Sequence, residues 1–406
     1  SASGGCGVNA RRQFDPLESA AWLLLCLFVF SIPWEKSVWV PGIGTISRFL
    51  GMVALAAGLL AAIRRKWTRA PNLAFVLAGA FVAWSCATYF WSLAPEATAA
   101  RGWTFVQLLA MVWLVWDQAR VEERPPQLMQ AYVAGAVLAS LATLARYVQN
   151  LQTYYRRYAA PGFDPNDLAL TVALSIPMAF YLASRSRGIW PWMYRAAVLP
   201  AIAAILLAAS RTALISAFLA FCFVIFTWRQ SDRPQRVAGV LLLGVLLLGT
   251  FRLAPSASRE RLATLPNELT QGTLHNRTRI WKAGLKTLKQ YPLAGAGAAA
   301  YPEAVRPALG RPAIEGHEYV AHNTFLSVLV ETGMIGLALY GAMLATLAVF
   351  VWMMPFIERV LWAVMLAVWA TGVSTLTWEH RKPSWLIFAL IMTQWATAFR
   401  QDCKRA

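Results

Sequence analysis

Runs of apolar residues recur along most of this chain, separated by short polar segments, and about 20 mostly apolar residues are what a helix needs to cross a bilayer. Twelve such runs are found, at about residues 20–33, 43–63, 71–91, 102–118, 127–147, 166–184, 191–209, 211–228, 236–253, 323–354, 358–377 and 383–399. They predict an all-α polytopic membrane protein of about twelve transmembrane helices. Residues 1–253 hold the first nine, residues 254–322 form one large extracytoplasmic loop, and residues 323–406 hold the last three with a tail. The first run is short, and no small-residue cleavage site follows it, so it reads as a retained span. The tenth is long enough to tilt or to project from the bilayer.

Composition agrees with this pattern. The chain is 58% hydrophobic and only 14% charged, against roughly 45–50% and about 25% in soluble domains. Its net charge of +18 raises the question of nucleic acid, but the distribution of charge points elsewhere. Arg64, Arg65, Lys66, Arg69, Arg120, Arg124, Arg185, Arg187, Arg195, Arg229, Arg233, Arg236 and Arg359 fall in alternate loops. That alternation puts both termini and the even-numbered loops in the cytoplasm, and leaves no role for nucleic acid. The cations left on the outer face are the informative ones: Arg101, Arg156, Arg157, Arg211, Arg381, Lys382 and those of the long loop. An arginine-rich outer face calls for an anionic partner, and phosphate fits the guanidinium fork. The five cysteines show no metal-type or disulfide spacing.

Several short stretches carry candidate chemistry. Ser210-Arg211-Thr212 fills a tight outer hairpin between two apolar runs. Ser210 suits an N-cap, and an arginine beside free backbone N–H groups makes an anion site; the plainer alternative is snorkelling to lipid head groups. In NRTRIWKAGLKTLKQYP, Ile280, Trp281, Gly284, Leu285, Leu288 and Tyr291 share one helical face, with Arg279, Lys282, Lys286 and Lys289 on the other. This reads as a basic amphipathic helix on the outer membrane surface. Arg277 or Arg279 at its start is placed to meet an anion, and spacing to Trp281 favours Arg277. Gly295-Ala296-Gly297 lacks the context of a phosphate loop and reads as a close-packed turn. In PGFDPNDLA, Asp164 or Asn166 caps the sixth span with Pro165 near N1, or else contacts a sugar or Arg156 and Arg157.

His322, in HEYVAHNTFLSVLVETG, immediately precedes a capping Asn323-Thr324 at the membrane boundary. An imidazole there can take a proton from a hydroxyl at neutral pH. His317 and Glu318 stand nearby, but a metal site built from them with His322 would need a poor i, i+5 separation. Glu331, nine residues on, falls on the opposite helical face from His322 by 100° steps. It reads as a carboxylate that must be paired with another span.

Taken in order, GFDPNDLA, SRTALISAF, NRTRIW with PLAGAG, and HNTFLSVLVETG resemble the O-antigen ligase and polymerase superfamily of bacterial inner-membrane glycosyltransferases. The resemblance runs over about residues 84–335. It implies a GT-C-like fold, an active site facing the periplasm, and no metal or other cofactor. It also implies an undecaprenyl diphosphate-linked O-antigen as donor and lipid A–core oligosaccharide as acceptor. Carried over by motif, Arg211 and Arg277, with Arg279 as alternative, would bind the donor diphosphate. His322 would deprotonate the acceptor hydroxyl, and attack opposite the diphosphate would invert the anomeric carbon. Arg101, Arg156, Arg157, Asp164, Asn166 and His317 remain possible substrate contacts. The lack of a large extra C-terminal domain favours the ligase branch over protein O-oligosaccharyltransferases, while an O-antigen polymerase, whose acceptor is another carrier-linked repeat, stays a close rival. A lipid-linked-glycan transporter would show internal repeats with broken spans, and none is evident.

Overall fold

A computed structural model describes residues 15–153, 157–250, 277–310 and 318–405. Arg156, His317 and the loop before Arg277 lie outside the described residues. All twelve apolar runs are helices. In chain order they are α1 (Pro16–Ser31), α2 (Ile46–Arg65), α3 (Leu73–Ala87), α4 (Pro95–Gln118), α5 (Arg124–Val148), α6 (Pro165–Ala173), α7 (Ser175–Arg185), α8 (Trp190–Ala208), α9 (Arg211–Ala220), α10 (Cys222–Phe226) and α11 (Arg233–Leu248). After the outer loop come α12 (Arg277–Leu288), α13 (Tyr301–Leu309), α14 (Thr324–Trp352), α15 (Phe356–Val373) and α16 (Lys382–Arg405). The only strands among the described residues are two-residue pieces, Trp39–Val40 paired antiparallel with Gly44–Thr45 between α1 and α2.

Among the described residues, nine segments are long and apolar enough to cross a membrane, against the twelve expected. The eighth run is interrupted at Phe221 between α9 and α10, and α11 is described only to Leu248. In α16 the later half carries Thr393, Gln394 and Thr397, all buried, which lowers its hydropathy. The segment Pro165–Arg185 is the hub: 89% of its apolar window is buried, against 28–50% in the others. An all-round apolar helix belongs inside a bundle, and here Tyr132 of α5 donates to the Thr171 carbonyl (2.9 Å).

At one end of the bundle, cations from the even-numbered loops meet carboxylates. Arg65 and Arg120 donate to the fully buried Asp117 at 2.7 and 2.8 Å, and Arg65 also reaches Glu18 (3.0 Å). Arg185 bridges Glu122 and Glu358. Arg101 sits sixteen residues before Asp117 on α4, about 24 Å up the helix at 1.5 Å per residue. The loops carrying the outer-face motifs therefore gather at the opposite end.

The tenth run does not simply tilt. It breaks at Gly333, whose φ of 70° ends the nine-residue segment that follows Asn323. The groups freed by the break are taken up by the turn after α12. Ala296 N–H donates to the Val330 carbonyl (2.9 Å), Gly297 N–H to the Glu331 carbonyl (2.8 Å), and Met334 N–H to the Pro292 carbonyl (2.9 Å). Trp84 Nε1 donates to the Thr332 carbonyl (2.8 Å). Backbone at membrane depth is tolerated off the helix only when its polar groups are met in this way. Gly295-Ala296-Gly297 is thus a close-packed turn with a specific partner.

The amphipathic helix α12 is rotated relative to expectation. Its buried stripe is Ala283, Gly284 and Thr287, with Ile280 and Tyr291 beside it, while Leu285 is half exposed. Thr287 Oγ1 donates to the Ala304 carbonyl (2.7 Å) and Tyr301 Oη to the Ile280 carbonyl (3.1 Å). The reason is tertiary: α13 covers the small-residue stripe, so the side facing protein is chosen by fit to Tyr301 rather than by hydrophobicity alone.

Candidate active site

A polar cavity of about 450 Å³ opens at the end of the bundle away from Asp117; Arg101, Asp164, Asn166, Tyr301, His322, Glu331, His380 and Arg381 are among its walls. His322 is held by its neighbours. Asn323 caps α14, accepting from Leu326 N–H (2.9 Å), and its Nδ2 donates to the Ser374 carbonyl (3.2 Å). Thr324 Oγ1 donates to the Leu376 carbonyl (2.9 Å) and accepts from Trp378 N–H (2.8 Å). Trp281 Nε1 donates to the Ala321 carbonyl (2.8 Å). His322 itself has φ 48°, the left-handed region that non-glycine residues visit seldom and often at functional sites.

Burial first, and then the Arg277 charge, lower the His322 pKa to about 4 against the opposing pull of Asp164 and Asp167. The imidazole is therefore neutral at pH 7 and able to accept a proton. Arg277, the first residue of α12, is close enough to His322 for its charge to be felt. Arg279 lies on the exposed side of α12, lining a separate recess of about 370 Å³ with Lys282 and Lys286. The two arginines thus sit in different surroundings, Arg277 with its charge felt at His322 and Arg279 on the recess away from it.

Arg211 opens α9 behind Ser210, whose hydroxyl accepts from Ala213 N–H (3.4 Å). The next residue, Thr212, accepts from Thr375 Oγ1 (3.0 Å), in the segment that walls the cavity. Arg157 is buried, donating through Nε to the Ala208 carbonyl and through a terminal nitrogen to Asn166 Oδ1, both 2.7 Å. It ties the end of α8 to the start of α6. Asp164, rather than Asn166, is the cap of α6, accepting from Asn166 N–H (2.8 Å).

Arg101 donates to Glu379 at 2.7 Å and lies 4.0 Å from Glu331. Glu331 also accepts from Ala299 N–H (2.8 Å) and Ser327 (3.3 Å). Glu379 shares an oxygen with His380 Nδ1 (3.1 Å). Burial pushes the Glu379 carboxyl up, but His380 and Arg101 hold it below the usual carboxylate range. Burial, and next the Arg101 charge, keep His380 neutral with a pKa of about 4. Arg101→Met would leave two buried carboxylates without their cation, at a cost of about 3–5 kcal/mol. Thermal unfolding of the purified variant checks this, with an unchanged midpoint counting against the clamp.

Glu331 requires a correction. Helical steps from residue 322 put it opposite His322, but His322 lies outside α14 in a left-handed turn, so the count does not start there. Both side chains face the same cavity, and Arg101 of α4 is the partner expected from another span. Tyr301, Glu379, His380 and Arg381 were not legible as site residues. Arg381 was marked only as an outer-face cation; the signal for it, Glu379 and His380 was WEHRKPSW, charge crowded between two apolar runs, and Tyr301 carried none. Among the described residues, no three His, Cys, Asp or Glu side chains cluster closely enough to hold a metal ion.

Comparison with known proteins converges on the same region. Residues 196–341 match the family described as O-antigen ligase; they contain Arg211, Arg277, the Gly333 break and His322. The exopolysaccharide production protein ExoQ of Rhizobium meliloti (strain 1021) is 26% identical over 289 residues, which are 66% of this chain and 63% of that protein. The match spans less than two thirds of that relative. With the ordered motifs, these similarities show that the chain resembles the O-antigen ligase superfamily over part of its length, and its apolar helices are those of a multi-pass all-α membrane protein.

Proposed function

We propose that the protein is a glycosyltransferase that moves a glycan from undecaprenyl diphosphate to a sugar hydroxyl of lipid A–core oligosaccharide. The reaction occurs at the periplasmic face of the bacterial inner membrane and completes lipopolysaccharide. Arg211 and Arg277 grip the donor diphosphate. His322 removes the acceptor proton while the sugar C1–O bond to the diphosphate breaks, so one displacement inverts the anomeric carbon. The leaving diphosphate carries away the negative charge, which the arginines offset. Neither a metal nor a cofactor has a part in this scheme. The observation that carries it is the His322 side chain at the wall of a polar cavity within the field of Arg277, on backbone held through the hydrogen bonds of Ala321, Asn323 and Thr324.

The base must be unprotonated, so activity falls as pH drops through its pKa. Initial rates in a pH series are expected to keep their level down to about pH 5 and fall near about 4. An acid limb near 6.5, the ordinary value for histidine, would contradict the buried base. The polymerase reading, with a second carrier-linked glycan as acceptor, is favoured by the relative's part in exopolysaccharide production. Supplying the purified protein with each acceptor separates the two. Product on lipid A–core is expected, and product on carrier-linked glycan alone would replace the ligase reading by the polymerase.

A further inference from the structure

A second feature opens onto the cavity from the side. A narrow cleft runs between α2 and α4, with Phe28, Gly51, Met52, Leu108, Met111 and Leu114 among its walls. His380 lines both this cleft and the polar cavity, so the two spaces adjoin across its ring. Both helices are candidate spans, and the cleft therefore faces hydrocarbon.

Its polar groups are graded along its length. At the mouth stand Arg48 and Lys382. Lys382 pairs with Glu35 (2.5 Å), but Arg48 has only a long bond to the Ile43 carbonyl (3.4 Å) and no carboxylate partner among the described residues. A guanidinium beside a hydrocarbon slot matches a lipid phosphate. Lower on the same face of α4 are Thr104 and Gln107. The Gln107 carboxamide makes no hydrogen bond to the protein among the described residues, and a carboxamide beside hydrocarbon is costly unless something meets it. A prenyl chain is pure hydrocarbon beyond its diphosphate and offers Gln107 nothing. An acyl chain offers its ester or amide carbonyl close below the head group.

We propose that the α2–α4 cleft is the acceptor-lipid site, seating one acyl chain of a phosphorylated, acylated glycolipid. Arg48 and Lys382 hold the phosphate, Gln107 meets the acyl carbonyl, and the glycan is directed past His380 toward His322. The donor arginines, on α9 and α12, line no part of this cleft, so donor and acceptor enter from different helices. This assignment rests on the glycosyl-transfer reading, but its deciding test, the labelling, does not require turnover.

The experiment uses the full chain in nanodiscs and three photoreactive lipids: a diazirine-bearing lipid A–core, a diazirine polyprenyl diphosphate and a diazirine phosphatidylglycerol. Labelling of α2 and α4 peptides by the lipid A probe, competed by unlabelled lipid A–core, is expected. Gln107→Leu and Gly51→Leu should both reduce it; a Cβ at Gly51 already comes within 3.0 Å of the Phe28 ring. Arg48→Gln should raise the acceptor KM about ten-fold, the loss of one charged hydrogen bond, with the donor KM unchanged. Equal labelling by phosphatidylglycerol would mean bulk lipid only and would overturn the assignment, as would preferential labelling by the polyprenyl probe. Labelling as expected without transfer would instead sink the proposed function and leave the site standing.

Discussion

Replacing His322 by alanine is expected to lower transfer by about 10²–10⁴-fold, the range typical for loss of a positioned base, while donor binding survives. The backbone around the residue is held without its side chain. Asn323 caps α14, Thr324 bridges to Leu376 and Trp378, and Trp281 holds Ala321. Removing the imidazole leaves those bonds in place. Arg277 and Arg211 keep their charge, so undecaprenyl diphosphate should bind the variant with an affinity close to that of the parent. Transfer assays and donor binding on the same preparation give the check. Turnover within a few-fold of the parent would remove His322 from the chemistry, and loss of both activities together would assign it a structural role.

The second large effect concerns stability. Gly333→Val is expected to destabilise the protein severely, for two additive reasons. The φ of 70° is strained for a β-branched residue, typically by about 1–3 kcal/mol. A Cβ there would lie 2.2 Å from the Leu293 carbonyl oxygen, against backbone that cannot swing away. Relief would have to pull α14 off the turn at Gly295-Ala296-Gly297, unmaking its hydrogen bonds to the Val330 and Glu331 carbonyls. Gly341→Ala, in the same helix with nothing within 4 Å of its added Cβ, is the control and should be neutral or slightly stabilising. Thermal unfolding in detergent distinguishes them. A Gly333→Val midpoint equal to that of Gly341→Ala would contradict the account of the break.

These two residues mark what the sequence does and does not disclose. Apolar run length is a local property, and every run is largely helical where described, although the sixth, eighth and tenth are broken. Capping is local too, so Asp164, Ser210 and Asn323 were legible as helix starts. His322 could be singled out because it sits one residue before such a cap. The break at Gly333 was hidden, because a glycine in an apolar run commonly passes as a packing residue. Its cause is a turn nearly forty residues upstream. The same holds for Arg101, whose partners Glu331 and Glu379 come from distant segments. Such pairings depend on the bundle being assembled. Spacing to Trp281 already favoured Arg277 over Arg279, and the packing of α12 on α13 adds the physical reason, leaving Arg279 on the exposed side.

A single displacement at the carbon joined to the diphosphate, with His322 as base, inverts that carbon. The configuration of the new glycosidic bond tests it most directly. With donor of defined anomeric configuration and purified lipid A–core, product made by the reconstituted protein can be read by NMR. The account predicts inversion at the transferred sugar. Retention would require two displacements through a covalent glycosyl intermediate, and would contradict it.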